Sequence, residues 1–212
     1  MVRAIFFDLD MCVLDTFSLK GSFFDEVINV LRSSSLEDAL KEKIESQLWT
    51  TSLDDTAKMF ALPKDILLRM REAYAQMECP DGITTYGDES FIKDLPVKKI
   101  LVTTGYQRFQ ESKIRKLGIE DLFDEIIVDA IDVPELRKGK KKIFKELLKH
   151  HAWQASEVLV VGDNPVSELG AAKSLGIPTV QTLRPKVVKW GEADHHVASF
   201  AELASLIKNP RT

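Results

Sequence analysis

Two aspartates stand two residues apart at the end of an apolar run, Phe6-Phe7-Asp8-Leu9-Asp10. Side chains alternate faces along extended backbone, so Asp8 and Asp10 tend to point the same way. Carboxylates beside an apolar core are costly unless a cation or a proton compensates them. An Asp-x-Asp pair also caps strands and starts turns, so by itself it leaves both readings open. Groups of complementary chemistry follow other apolar runs. Thr103-Thr104-Gly105 ends the run that starts at Lys99. Asp129 and Asp132 follow Glu125-Ile126-Ile127-Val128 and lead into Arg137-Lys138-Gly139-Lys140-Lys141-Lys142. Gly162-Asp163-Asn164-Pro165 ends the run Glu157 to Val161, and Glu168 stands one turn further on. Magnesium takes hard oxygen ligands, which Asp8, Asp163 and a backbone carbonyl can supply. A phosphate suits a threonine hydroxyl, backbone N–H groups at a helix start and a lysine ammonium. Together these groups form a set fit for phosphoryl transfer.

Such a set works only if the strands that carry it lie side by side. From residue 83 onward the pattern alternates: helix Ser90–Leu95, strand Lys99–Thr103, helix Gln107–Leu117, strand Glu125–Val128, helix Lys141–His151, strand Glu157–Val161, helix Val166–Leu175, strand Pro178–Gln181. A short strand at His196-Val197 and a helix from Phe200 to Ile207 follow. Short continuous apolar strands alternating with helices predict an α/β fold, a Rossmann-like three-layer core around a parallel sheet. In such sheets ligands sit at the carboxyl ends of the strands. Between the first strand and the rest, nearly every segment from Lys20 to Met77 reads as helix, with breaks at Ser33-Ser34-Ser35 and Thr50-Thr51-Ser52. Its apolar stripes are Phe23, Phe24, Val27, Ile28, Leu31, then Leu36, Leu40, Ile44, Leu48 ending near Trp49. A short helix follows at Asp54–Phe60, then a longer one at Lys64–Met77 with Pro63 at its start. We therefore expect residues 1–16 and 83–212 to form the core and 17–82 a small α-helical cap inserted into it.

Composition narrows the class. A chain of 212 residues with 44% hydrophobic and 29% charged residues reads as a globular domain able to bury its own core. A formal net charge of -4 argues against nucleic acid or an anionic membrane as partner. Cys12 and Cys79 show no paired spacing, which suggests a reducing compartment, and the N-terminus shows no signal-peptide pattern. No apolar run is long enough to span a membrane. The expectation is a cytoplasmic protein, monomer or homodimer.

With these residues in view, the sequence resembles the haloacid dehalogenase (HAD) superfamily, in its phosphatase branch with a helical cap. Phe7-Asp8-Leu9-Asp10 resembles the family's nucleophile motif and Leu101-Val102-Thr103-Thr104-Gly105 its second motif. Lys138, five residues before Ile143-Phe144, resembles the third-motif lysine. Val161-Gly162-Asp163 with Glu168 resembles the metal-binding fourth motif. The resemblance implies a Mg2+-dependent phosphomonoester hydrolase acting on a small phosphorylated metabolite, such as a sugar phosphate, phosphoglycolate or a nucleoside monophosphate. It implies Asp8 as nucleophile, forming an aspartyl-phosphate, and Asp10 as acid and then base. Magnesium would be held by Asp8, the main-chain carbonyl of Asp10, and Asp163, with Glu168 orienting that shell. Thr103, Thr104, Gly105 and Lys138 would bind the phosphoryl group. A phosphomutase, a 2-haloacid dehalogenase and a non-catalytic binding module are the alternatives, in that order; Asp10 counts against the dehalogenase.

Three positions depart from the family pattern. Met11 stands where Gly or Asn is usual, Cys12 where Thr or Val is usual, and Glu168 replaces a commoner Asp. Cys12 reads as a small buried residue filling the volume of Thr. Lys140, Lys141 and Lys142 read as a solvated helix face. His150-His151 and His195-His196 lack ligand spacing and read as structural or surface groups. Trp153 and Trp190 read as packing residues.

Overall fold

The computed structural model describes residues 1–19, 24–48 and 51–208. Expected features at Lys20, Phe23 and Trp49 lie outside these residues. Among the described residues six parallel strands form one sheet in the order β3-β2-β1-β4-β5-β6. They are β1 (Ala4–Phe7), β2 (Lys98–Gly105), β3 (Glu125–Ala130), β4 (Val158–Gly162), β5 (Thr179–Thr182) and β6 (His195–Val197). β1 lies inside the sheet, between β2 and β4, so each residue from Ala4 to Phe7 is buried on whichever face it points to.

The alternation along β1 sorts the core into two layers. Ile5 and Phe7 pack on one face, where Phe7 meets Phe123 and Phe200 with ring centroids 5.7 and 5.9 Å apart. Ala4 and Phe6 pack on the other, where Phe6 meets Phe144 at 5.3 Å and Trp153 at 6.3 Å. Helices α6 (Gln107–Leu117) and α9 (Phe200–Lys208) belong to the first face; α7 (Lys140–His150) and α8 (Gly170–Lys173) belong to the second. The two-residue period therefore assigns Asp8, next after Phe7, to the α7 side.

Between β1 and β2 run α1 (Asp25–Arg32), α2 (Asp38–Leu48), α3 (Leu53–Met59) and α4 (Lys64–Gln76), with the short α5 (Ser90–Lys93) after them. Val27, Ile28, Leu31, Ile44, Leu48, Ile66 and Met70 form the buried stripes of these helices, and they join the cluster on the α6 face of the sheet. The helix expected at Val166–Leu175 is instead a π turn, Pro165–Leu169, followed by α8. Among the described residues no helix is long and apolar enough to cross a membrane.

Candidate active site

The site gathers at the carboxyl ends of β1, β2 and β4 and has two halves. The first is built around Asp8. Lys140 is the first residue of α7, and its Nζ donates to Asp8 Oδ1 at 2.7 Å and to Glu168 Oε2 at 2.8 Å. Only 6% of the Lys140 side chain is exposed, and 9% of Asp8's and 2% of Glu168's. Glu168 Oε1 accepts from the Asn164 amide at 2.7 Å. Asp8 Oδ2 accepts no protein hydrogen bond among the described residues, so one oxygen of this carboxylate is held and the other is open.

Asp8, Asp163 and Glu168 each offer an oxygen within 4.8 Å of the others. Three carboxylates at that spacing are a hard-oxygen donor set of the kind magnesium takes. Burial pushes the Asp8 carboxyl up to about 8, against the opposing pull of Lys140. Burial and the neighbouring Glu168 push Asp163 up to about 7. Both shifts describe acids brought together without enough positive charge, which is what a divalent cation would supply.

Gly162 makes the first half possible. A Cβ there would lie 2.4 Å from Glu168 Oε1 and 2.5 Å from its Cγ, so only glycine lets Glu168 fold back over the end of β4. The π turn that follows carries Glu168 into that position, and Asn164 caps it by accepting from the Val166 amide.

The second half is built around Asp10. Lys113 Nζ donates to Asp10 Oδ1 at 2.7 Å, and Gln110 Nε2 donates to Oδ2 at 2.9 Å. The same Gln110 amide donates to Thr103 Oγ1. Burial alone would raise the Asp10 carboxyl, but Lys113 and Gln110 outweigh it and hold Asp10 below the usual carboxylate range. A third of the side chain, 32%, stays exposed, so Asp10 remains reachable. Gly105 has the counterpart of Gly162's role: a Cβ there would meet Gln110 Cδ and Cγ at 2.8 Å.

A family model described as haloacid dehalogenase-like hydrolase matches residues 5–182. The chain belongs to that family. Among curated HAD relatives, a glyceraldehyde 3-phosphate phosphatase of Methanocaldococcus jannaschii is 31% identical over 123 residues, covering 56% of this chain and 52% of that protein. Another of that description, from Pyrococcus abyssi, is 35% identical over 89 residues, covering 42% of this chain and 37% of the relative. The chain thus spans about half or less of the length of the curated relatives it matches. A crystal structure of a HAD phosphatase from Thermococcus onnurineus superimposes with a TM-score of 0.66 at 25% identity, covering 97% of this chain and 98% of that one. A HAD-like protein of Streptococcus pneumoniae superimposes with a TM-score of 0.67 at 18% identity over 96% and 97% of the two chains, which shows the fold.

Against the HAD pattern, two expected residues sit elsewhere. Lys138 does not reach Asp8. Its Nζ pairs with Glu146 at 2.8 Å and 40% of its side chain is exposed. The reason lies in Asp129, fully buried, which accepts from the amides of Lys138 and Gly139 at 2.7 and 2.9 Å and pairs with Arg137. Pinned there, the chain turns at Gly139 and enters α7 with Lys140, not Lys138, under the sheet edge. Thr104, expected at the phosphate, donates its hydroxyl to Asp129 Oδ2 at 3.2 Å and so belongs to the same loop anchor. Thr103 is buried beside Asp10, and Gly105 packs beneath Gln110.

A signal for Lys140 was present in the sequence. Lys140, Ile143, Phe144 and Leu147 follow i, i+3, i+4, i+7, and all four are buried on one stripe of α7. A lysine on an apolar stripe at a helix start is not a solvated face. Lys113 and Gln110 had no such signal, because α6 carries them among several other polar residues.

The departures at Met11 and Cys12 also resolve. Met11 has φ +58°, in the left-handed region that Gly and Asn enter most readily. Its amide donates to Thr16 Oγ1 at 3.0 Å, and Tyr86 Oη donates to its sulfur at 3.8 Å. Cys12 is buried, points its thiol at the Val161 carbonyl at 3.7 Å, and is pushed well above its ordinary range by burial and by Asp8. It is a packing residue. Of the histidines, His151 stacks on Trp153 at 4.2 Å and His196 bonds the Trp190 carbonyl, so both serve packing.

Proposed function

We propose that this chain is a magnesium-dependent phosphomonoester hydrolase that works through an aspartyl-phosphate at Asp8. One observation carries this reading: a buried carboxylate with one oxygen fixed by a buried ammonium and the other open, two residues before a second, reachable acid. The open oxygen of Asp8 attacks phosphorus while Lys140 holds the nucleophile's other oxygen and supplies positive charge beside the phosphoryl group. Thr103 accepts from Gln110, which leaves its hydroxyl proton for a phosphoryl oxygen. In the free site Asp10 is a carboxylate. The dianionic phosphoryl group entering beside it raises its proton affinity, so that it takes up a proton and gives it to the leaving oxygen. As carboxylate it then takes a proton from the water that hydrolyses the intermediate. Asp8, Asp163 and the Asp10 carbonyl would hold magnesium, with Glu168 fixed by Lys140 and Asn164 beside them; the metal supplies charge neutralisation for a dianionic phosphoryl group.

The helices of residues 17–82 serve as a cap in this reading. A cavity of about 490 Å³ lies between them and the loop after β2, lined by Ser52, Asp54, Tyr74, Thr104, Tyr106 and Arg137. It meets the site at Thr104 and Gly105, next after Thr103, with Phe24, Leu48, Leu53 and Ile131 as its apolar wall. In this reading it takes the part of the substrate that lies beyond the phosphoryl group. The names of the curated relatives put triose phosphates first among the substrates to try. The test is a panel of phosphorylated metabolites with Mg2+, following phosphate release by wild type and Asp8→Asn. Release by wild type, lost in Asp8→Asn, supports the reading. Release that needs a bisphosphate activator would point to a mutase instead, and silence from both proteins across the panel would sink the hydrolase reading.

A further inference from the structure

Helix α6 begins right after β2, and one of its faces turns back on the site. Gln110 and Lys113, at i and i+3, share that face. Gln110 is 2% exposed as a residue and the Lys113 side chain 6%, so both are committed to the interior. Neither is spent on packing alone. Lys113 Nζ also lies 4.8 Å from the Phe109 ring centroid, which holds the ammonium from behind. Thr16 Oγ1 approaches Asp10 Oδ1 at 3.4 Å, a long contact beside the 2.7 Å bond from Lys113. Both Asp10 oxygens are thus fixed from α6, one by an ammonium and one by an amide. The helix itself is braced at its start and at its middle. Tyr106 stacks on Tyr74 of α4 at 4.0 Å, and Ser112 Oγ accepts from the Cys79 amide at 2.7 Å.

We propose that Lys113, assisted by Gln110, is the positioning residue for proton transfer by Asp10 to the leaving group. The inference rests on the reading of Asp10 as the acid. In the first step the open oxygen of Asp8 forms a bond to phosphorus as the P–O bond to the leaving group breaks; that bond's electron pair goes to the leaving oxygen, which takes the Asp10 proton. The carboxylate that remains is met by Lys113, which stays an ammonium throughout. In the second step water attacks phosphorus, Asp8 departs as carboxylate, and Asp10 takes back a proton from that water. Lys113 therefore stabilises the charge Asp10 acquires at the moment the leaving group needs its proton. Without Lys113, Asp10 is held only by the Gln110 amide and the long contact with Thr16, and it loses the ammonium that meets that charge.

The distinguishing readout is leaving-group dependence. kcat/KM reports the step in which the leaving group departs. It would be measured with Mg2+ for an alkyl phosphate, taken from the metabolite panel, and for p-nitrophenyl phosphate, whose phenolate departs without a proton. The proteins are wild type, Asp10→Asn, Lys113→Met, Lys113→Arg and Gln110→Leu. Lys113→Met should lower kcat/KM for the alkyl phosphate by roughly 10²-fold and for the aryl phosphate by a much smaller factor. Lys113→Arg should restore most of the loss. Gln110→Leu, which keeps the ammonium, should give the same split in smaller measure and serves if Lys113→Met does not fold. Equal losses on both substrates would reduce Lys113 to a structural residue and overturn the proposal. If Asp10→Asn shows the split and the α6 variants do not, the proposal alone fails. If Asp10→Asn shows no split, or wild type releases no phosphate, the reading of Asp10 fails and the proposal with it.

Discussion

Replacing Lys140 with methionine keeps the length of the side chain and removes the ammonium that contacts Asp8 and Glu168. Both carboxylates stay, with 9% and 2% of their side chains exposed. Breaking a buried ion pair by deleting one partner costs roughly 3–5 kcal/mol, because the remaining charge is left desolvated. Asp8 has an escape: burial already raises it to about 8, and without the opposing pull of Lys140 it moves higher, so near pH 7 it stays protonated and neutral while Glu168 is left as the unpaired charge. That takes the expected cost to the lower end, about 3 kcal/mol. For a chain of this size such a loss lowers Tm by roughly 6–12 °C. The assay is thermal unfolding followed by circular dichroism in EDTA near pH 7, with phosphate release in Mg2+ alongside. Loss of the charge beside the phosphoryl group should lower kcat/KM by roughly 10²–10³-fold. Lys138→Met is the paired control. It removes an exposed contact with Glu146, so its Tm should stay within about 2 °C of wild type. The reasoning is refuted if Lys138→Met loses activity on that scale while Lys140→Met keeps it, or if Lys140→Met melts where wild type does.

Three further outcomes follow from the same geometry. Asp8 and Asp163 have folded-state values raised to about 8 and about 7 from 3.8, so over that interval the unfolded chain has lost protons the folded chain keeps. Metal-free stability should therefore fall as pH rises from about 4 to about 8, and the Tm gain on adding Mg2+ should grow over the same range; a gain independent of pH would contradict this. Gly162→Ala pushes a Cβ into Glu168 and must displace it from Lys140 and the Asn164 amide. We expect a loss of about 1–3 kcal/mol in denaturant unfolding and weaker Mg2+ binding by calorimetry, whereas an unchanged Mg2+ affinity would show that Glu168 does not organise the metal site. Met11→Gly relieves a side chain held at φ +58° and should raise stability by about 1 kcal/mol, or about 2–4 °C in Tm; a lower Tm would mean that the contact with Tyr86 outweighs the backbone strain.

Much of the molecule was legible in local periodicity. The opening strand leads into Asp8 and Asp10 as read, but the two acids do not share a face. Asp8 is met from α7 and Asp10 from α6 across the sheet, because the chain leaves extended backbone after Phe7. Helix α6 runs from Gln107 to Leu117 as read. β4 delivers Asp163 to the end of the sheet beside Asp8. Buried strands write their apolar run into consecutive residues, and helices write theirs at i, i+3 and i+4, so element type needs no knowledge of distant neighbours. The π turn at Pro165–Leu169 escaped that reading, because the close packing of Glu168 against Gly162 shapes it.

What the sequence determined, then, is the alternation of strands and helices and the acids at the strand ends, because a strand's period is short and its end is marked by the first polar residues. What only the tertiary structure decided is which cations meet those acids. Lys138 matches a spacing, but the buried Asp129 pins its amide and sends its side chain to solvent, and the stripe of α7 places Lys140 under Asp8 instead. Lys113 stands 103 positions from Asp10 along the chain and reaches it only because β1 and β2 lie side by side and α6 folds back over them. A lysine's long side chain can satisfy many partners, and its spacing in sequence records none of them. The packing of the helix that carries it makes the choice.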